Sequence, residues 1–194
     1  MTDSSNIDAG IPGADRLERI VTFLQAAEAL KDTLRSSHTT KGRPESTAEH
    51  TWRLCLMVML FEKDLADVDA HRLLKMCIIH DLGEAISGDI PAIHQTAGDG
   101  RAAREREDLL RLCASLPSDL AADMIVLWEE YSEGRTPEAV LAKGFDKIET
   151  MLQHVKGRNA DDFDYEFNLE YGRSRTDQHP LLRALRVLSD GMTR

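Results

Sequence analysis

Apolar residues recur at three- and four-residue spacing along most of this 194-residue chain, which is the period of an amphipathic α-helix. The pattern is clearest in the segment 16–34, where one helical face carries Ile20, Phe23, Leu24, Ala27, Leu30 and Leu34. Alternating strand patterns and internal repeats are lacking. A chain of this length can bury the core of one domain, so we expect an all-α, single-domain helical bundle.

Capping signals predict where the other helices begin. Ser46-Thr-Ala-Glu49 has the form of a capping box and opens a helix that runs to about Asp64. Asp69 is a suitable N-cap for a helix over 70–82. The remaining helices are predicted at 101–116, 118–132, 137–156 and 180–190. The polar stretch 35–46 separates the first two helices.

Composition limits the class of function. A net charge of −10 argues against binding duplex nucleic acid, although a few local cations could still hold a small anionic substrate. The longest apolar run, LCLMVMLF at 54–61, is far shorter than the ~20 residues that cross a bilayer, so no membrane partner is expected. Residues 1–14 lack the features of a signal peptide and are expected to form a disordered leader before a domain at 15–190. We expect buried, reduced thiols and a cytoplasmic location from the three scattered cysteines, Cys55, Cys77 and Cys113.

Three residues near helix ends are candidate metal ligands. His50 lies near the start of the second predicted helix, and His80 and Asp81 lie at the end of the third. Neighbouring residues on a helix diverge by about 100°, so His80 and Asp81 can share one ion only if it lies between their two directions. A single histidine near a helix start is more often a polar surface residue, so the case for His50 depends on the others.

Asp146 is the fourth candidate, because it lies within or beside the largely apolar face of the helix predicted at 137–156. A carboxylate there is costly to bury without a cation or a hydrogen-bond partner. A salt bridge to Lys143 or Lys147 would satisfy it equally well. Two imidazoles and two carboxylates nevertheless form a chemically sensible site for one divalent transition ion.

The set at 50, 80–81 and 146 resembles the signature of the HD-domain metal-dependent phosphohydrolases. The resemblance covers about 16–156 and is closest to the HD proteins that include the 5′-deoxynucleotidases, through the segments RPESTAEHTW, MCIIHDLGEAISGDIP, LWEEYSEG and AKGFDKIE. It implies an HD-type helical bundle with one divalent metal ion (Mn, Co, Mg, Zn, Ni or Fe) held by His50, His80, Asp81 and Asp146.

The resemblance also implies that Glu84 and Asp89 act on the water and the phosphate. A nearby carboxylate can orient or deprotonate the water, and another can protonate the departing sugar oxygen. Glu84 shares a face with His80 only if that helix continues, while Asp89 lies in the turn SGDIP. The alternative for both is a solvated carboxylate at a helix end.

Arg35 is the substrate-binding residue that the resemblance implies, and Lys147 is a second candidate. The donors of a guanidinium match two phosphate oxygens. Alternatively, Arg35 ends the first helix and complements its dipole. Related nucleotidases often carry a tryptophan just after this arginine, whereas Ser36, Ser37 and His38 follow here, so we expect loose discrimination among bases.

The function implied is a phosphomonoesterase, a 5′-nucleotidase that converts (deoxy)nucleoside 5′-monophosphates to nucleoside and phosphate. Diphosphates and triphosphates should be poor substrates, because one metal and few cations leave their charge uncompensated. Two alternatives stay open: a non-nucleotide phosphate ester as substrate, or a non-catalytic nucleotide-binding module. Only His94 lies between Asp81 and Asp146, which disfavours a dinuclear HD enzyme. Small HD proteins are often homodimers, and the resemblance alone implies this here.

Overall fold

The computed structural model describes residues 12–65, 67–94, 100–161 and 163–193. Helices dominate this part of the chain, which confirms the all-α prediction. In chain order the helices are α1 (Ala14–Ala27), α2 (Thr47–Phe61), α3 (Ala70–Ile79), α4 (Glu84–Ser87), α5 (Arg101–Leu112), α6 (Ser118–Glu133), α7 (Pro137–Lys156), α8 (Tyr165–Glu170), α9 (Arg173–Thr176) and α10 (Pro180–Met192). Most of the predicted leader, residues 1–14, lies outside the described residues, and α1 begins at Ala14.

Several predicted helix starts are confirmed by the capping contacts. Ser46 and Glu49 form the reciprocal hydrogen bonds of a capping box at the start of α2. The Asp69 side chain accepts a hydrogen bond from the backbone N–H of Arg72 at the start of α3. The bounds of α7 agree with the predicted 137–156. Hydrogen bonds between residues three positions apart therefore fix the starts of α2 and α3.

A short antiparallel hairpin interrupts the helices, with β1 at Leu34–His38 and β2 at Pro44–Ser46. The prediction of a helix to residue 34 is therefore wrong at its C-terminal end, because α1 gives way to a 3₁₀ turn at Glu28–Lys31. The stretch that follows is rich in threonine and serine, whose side chains compete for backbone hydrogen bonds and disfavour a helix. Arg35 consequently lies on a strand, and its alternative role as a helix-end cation is wrong.

The third helix also ends earlier than predicted. Its last residue is Ile79, and residues 80–83 form a turn before α4 begins at Glu84. Glu84 is therefore not on a continuation of the helix that precedes His80. His80 and Asp81 lie in this turn, and Glu84 is the first residue of the short helix α4.

Two apolar clusters hold the bundle together. The first joins α2, α3, α7 and α10 through buried residues that include Leu54, Leu73, Phe145 and Leu182. The second joins α1, α5 and α6 to the end of α3 through buried residues that include Phe23, Ile79, Leu109 and Trp128. The Trp128 indole N–H donates to the carbonyl of His80 at 3.1 Å, so the turn after α3 is fixed from the side of the second cluster.

The three cysteines form no disulfide with one another. Cys77 and Cys113 are buried, and Cys55 is partly buried. Burial raises the pKa of the Cys55 and Cys113 thiols to about 11, which keeps both protonated near neutral pH. Within the described ranges, no helix is both long and apolar enough to cross a membrane.

Candidate active site

Four predicted metal ligands come together where α2, α3 and α7 meet. His50, His80 and Asp146 are buried, and one ligand atom from each lies within 4.8 Å of the others. His50 Nε2 is 3.3 Å from Asp146 Oδ1. Asp81 Oδ2 lies 2.9 Å from His80 Nε2 and 3.8 Å from His50 Nε2. The turn after α3 thus lets two adjacent residues face one point.

The donor atoms of this cluster fit a divalent cation. The Nε2 atoms of His50 and His80 are buried and lie beside the carboxylate oxygens of Asp146 and Asp81, but they form no hydrogen bond of regular geometry among the described residues, although buried polar atoms are usually paired. The other ring nitrogens are engaged: His80 Nδ1 lies 2.8 Å from the carbonyl oxygen of Cys77, and His50 Nδ1 contacts Glu149. A proton on each Nδ1 leaves the Nε2 lone pair available to a metal.

Glu149 is a buried carboxylate that the sequence analysis did not identify. It contacts His50 Nδ1 and accepts a hydrogen bond from Arg53 Nε at 2.7 Å. Burial alone would raise the pKa of Glu149, but His50 and Arg53 hold it below its usual range. Its position three residues after Asp146 puts it on the same face of α7, so helical spacing within FDKIE could have pointed to it.

Glu84 and Asp89 lie in the same cavity as the ligand cluster. The Thr47 hydroxyl donates to Glu84 Oε2 at 3.0 Å. Burial, with repulsion from Asp81 and Asp89, raises the pKa of Glu84 to about 9, so this carboxyl group keeps its proton near neutral pH. The pKa of Asp89 is raised chiefly by burial, and Arg35 opposes that shift. Both side chains therefore differ from the solvated carboxylates of the alternative interpretation.

Arg35 enters the cavity from β1, and its side chain is 11% exposed. Its guanidinium donates to the Thr150 hydroxyl at 3.2 Å. Two longer ion pairs reach Asp81 Oδ2 at 3.6 Å and Glu45 Oε2 at 3.9 Å. Burial alone would lower the pKa of Arg35, but the charges of Asp81 and Asp89 raise it, so the guanidinium stays positive.

Asp146 combines the two roles considered from the sequence. Its Oδ1 atom faces His50, whereas its Oδ2 atom lies 2.9 Å from Lys147 Nζ. The Tyr131 hydroxyl also donates to Oδ2, at 3.4 Å. Lys147 therefore contacts the ligand cluster directly, through Asp146. The salt bridge that competed with the metal interpretation is present beside it.

Three other polar residues, Glu129, Glu130 and His94, lie outside this cluster. Glu130 accepts hydrogen bonds from Arg72, and Glu129 accepts one from Arg106 at 2.8 Å. These contacts are ion pairs between helices. His94 is exposed and lies in a 3₁₀ turn at Ala92–His94, so it does not join the buried histidines.

His80, Asp81 and Asp146 of the ligand cluster line a cavity of about 310 Å³. Carboxylates and cations both line it. The lining carboxyl groups include Asp81, Glu84 and Asp89, and the lining cations include Arg35, Lys143, Lys147 and Arg175. A small anion with a polar body can be accommodated by such a lining.

Known proteins are similar in sequence to this chain. The family model described as HD domain matches residues 27–186. The chain is 32% identical to the 5′-deoxynucleotidase hdd1 of Schizosaccharomyces pombe, over 84% of this chain and 85% of that protein. It is 30% identical to the human 5′-deoxynucleotidase HDDC2, over 75% of each chain.

A solved structure extends the likeness to the fold. The structure of a predicted metal-dependent phosphohydrolase from Magnetospirillum magnetotacticum MS-1 superposes with a TM-score of 0.68 at 26% identity. The match covers 92% of this chain and 94% of that one. The chain therefore belongs to the HD-domain family of metal-dependent phosphohydrolases.

Proposed function

We propose that this protein is a 5′-nucleotidase that hydrolyses (deoxy)nucleoside 5′-monophosphates to nucleoside and phosphate. One observation carries the proposal: the buried Nε2 atoms of His50 and His80 converge with the carboxylates of Asp81 and Asp146, next to a cavity that Glu84 also lines. The substrate class is supported by the relatives, two of which are named 5′-deoxynucleotidases.

His50, His80, Asp81 and Asp146 would hold one divalent ion, whose identity the donor set leaves open among Mn, Co, Mg, Zn, Ni and Fe. Such an ion lowers the pKa of water and polarises a phosphoryl oxygen. In the protein, Asp89 would take a proton from the attacking water. Glu84, which carries a proton, would give it to the sugar oxygen as the phosphorus–oxygen bond breaks.

Arg35 and Lys147 would hold the phosphate oxygens in this scheme. Each lies beside a different carboxylate of the ligand cluster, at 3.6 Å from Asp81 and at 2.9 Å from Asp146. Ser36 and Ser37 line the cavity next to Arg35 where no aromatic ring is available from those positions. Serine offers a base no stacking surface, so we propose loose discrimination among bases.

Phosphate release from a substrate panel tests the proposal. The panel comprises deoxynucleoside and nucleoside 5′-monophosphates, the matching triphosphates and a sugar phosphate, each with Mn²⁺, Co²⁺ or Mg²⁺. We expect monophosphates to be cleaved, deoxy forms preferentially, and triphosphates poorly. Activity confined to triphosphates, or to the sugar phosphate, would exclude a nucleotidase while leaving a phosphohydrolase. Binding of nucleotides without any turnover would indicate the non-catalytic module.

We also propose a homodimer and a cytoplasmic location. Support for the dimer comes from an exposed apolar stripe on α2, formed by Trp52, Leu56, Met59 and Leu60. The free cysteines are consistent with a reducing compartment. Light scattering coupled to size-exclusion chromatography measures the mass in solution, and a mass of one chain, 21.7 kDa, would contradict the dimer.

A further inference from the structure

Three cations from α7 and α9 form a second charged wall of the cavity, which we call the α7–α9 wall: Lys143, Lys147 and Arg175. Each lysine lies against a tyrosine ring. Lys143 Nζ is 4.1 Å from the centre of the Tyr131 ring, and Lys147 Nζ is 5.2 Å from that of Tyr171. Aromatic faces hold an ammonium group without neutralising it, so the positive charge of the wall remains available.

The charge of the α7–α9 wall is only partly compensated within the protein. Lys147 pairs with Asp146, but among the described residues no carboxylate oxygen lies within 4.0 Å of the charged nitrogens of Lys143 or Arg175. Burial lowers the pKa of Lys143 to about 8, and the charge of Arg175 acts in the same direction. Repulsion between the like charges of Lys143, Lys147 and Arg175 is electrostatically unfavourable, and a bound anion would offset it.

Two glycines bring the cations together. A Cβ atom at Gly134, where φ is +64°, would lie 2.9 Å from Lys143 Cε and 3.4 Å from Arg175 Nη1. Both side chains thus cross the same backbone position. A Cβ atom at Gly172 would lie 2.7 Å from Lys147 Cβ, so this glycine admits α9 close to α7. Local packing therefore concentrates the positive charge of the wall.

We propose that Lys143 and Arg175 bind a second phosphate group of the substrate, in the cavity where Lys147 and the ligand cluster hold the scissile phosphate. The proposal rests on the proposed function and adds a second phosphate group to the 5′-phosphorylated nucleoside that is cleaved. Lys143 Nζ lies over the Tyr131 ring and Lys147 Nζ lies over the Tyr171 ring, so two different aromatic rings hold the two ammonium groups at separate positions. That separation favours two phosphates on different positions of one sugar over two directly linked phosphates. The substrate class is therefore a nucleoside bisphosphate.

Comparison of three substrates tests the second phosphate site. We expect kcat/KM for deoxyadenosine 3′,5′-bisphosphate to exceed that for the 5′-monophosphate by about tenfold, as expected for added charge-assisted hydrogen bonds. The 5′-diphosphate should show no such gain. Lys143→Met and Arg175→Met, on separate helices, should each reduce the bisphosphate preference. Lys156→Met is the matched control, since Lys156 is exposed at the end of α7, and should retain the preference.

Equal kcat/KM for the monophosphate and the bisphosphate, or a preference for the diphosphate, would overturn the second phosphate site and leave the nucleotidase intact. Hydrolysis of no nucleotide would instead refute the proposed function. In that event, calorimetric titration of the metal-loaded protein with the same mono- and bisphosphate measures the subsite directly. Tighter binding of the bisphosphate, lost in Arg175→Met, supports the subsite, and equal binding refutes it.

Discussion

Two largely buried arginines occupy opposite situations in this molecule. Arg186, on α10, is 2% exposed, and each of its three guanidinium nitrogens has a short hydrogen bond. Three of these bonds go to backbone carbonyls, at 2.6 Å to Tyr171, 2.7 Å to Asn168 and 2.6 Å to Leu169. A fourth goes to Asp190 Oδ1 at 2.7 Å. Arg186 thereby fastens the chain around α8 and α9 to α10.

Arg35 has a similar environment but far weaker partners. Among the residues that the structure describes, it makes a single hydrogen bond, at 3.2 Å to Thr150, and its two ion pairs are longer than 3.5 Å. Its Nε atom has no hydrogen-bond partner among the described residues. A guanidinium whose nitrogens all donate hydrogen bonds within the protein stabilises the fold. A guanidinium in a cavity that has few such bonds retains N–H donors for a ligand. The same distinction separates the cluster around His50 and His80 from the polar groups that only support the bundle.

Removal of a metal ligand should cause the largest loss of activity among the substitutions considered. We expect His80→Ala and Asp146→Ala to lose the bound metal and with it nearly all turnover, because a charged ion needs its full donor set. Elemental analysis of protein purified without chelator measures metal per chain. His71→Ala, an exposed histidine of α3, is the control. A full equivalent of metal in both ligand variants would show that the assignment is wrong.

Removal of the acid and base should separate chemistry from metal binding. Glu84→Gln and Asp89→Asn should retain the metal yet lower kcat by roughly 10²–10⁴-fold, the usual contribution of a positioned proton donor or acceptor. Steady-state kinetics combined with elemental analysis tests this. Glu129→Gln, at an exposed pair with Arg106, should behave as wild type. Near-wild-type kcat in both site variants would show that the two carboxyl groups have only a structural role.

Substitution of Arg35 should change KM, whereas substitution of Arg186 should change the free energy of unfolding. Arg35→Met should raise KM by roughly ten- to hundredfold with a smaller change in kcat, because a phosphate contact made equally in ground and transition states affects binding. Its melting temperature should stay close to that of wild type. Arg186→Met should lower the free energy of unfolding by about 3 kcal/mol, since buried carbonyls lose their donors. Thermal unfolding and steady-state kinetics of both variants test this difference. A KM defect in Arg186→Met alone would show that Arg186, and not Arg35, binds the substrate.

The smallest effect should come from Glu149, which acts on the metal only through His50. Glu149→Gln should weaken metal affinity by roughly 10–100-fold, because a carboxylate on Nδ1 orients the ring and raises its basicity. Competition with a metal-binding dye measures that affinity. Excess metal should restore most of the turnover in Glu149→Gln. Unchanged metal affinity would mean that Glu149 serves only to pair with Arg53.

Much of the helical scaffold could be predicted from local sequence. The capping box at Ser46–Glu49, the Asp69 N-cap and the bounds of α7 depend on contacts between residues three or four apart, so the chain determines them locally. The resemblance to HD proteins also identified residues that the structure brings together, such as His50, His80 and Asp146. Their residue types suit a metal, and their order along the chain is distinctive.

Tertiary structure decided what periodicity could not. The hairpin of β1 and β2 depends on pairing between two short segments, and this pairing put Arg35 on a strand. Glu149 needed the packing of α2 against α7 to meet His50. The α7–α9 wall needed two close approaches at Gly134 and Gly172. Sequence spacing reports which residues share one helix, but only packing between segments brings charges from different segments into one cavity and decides which of them remain unpaired.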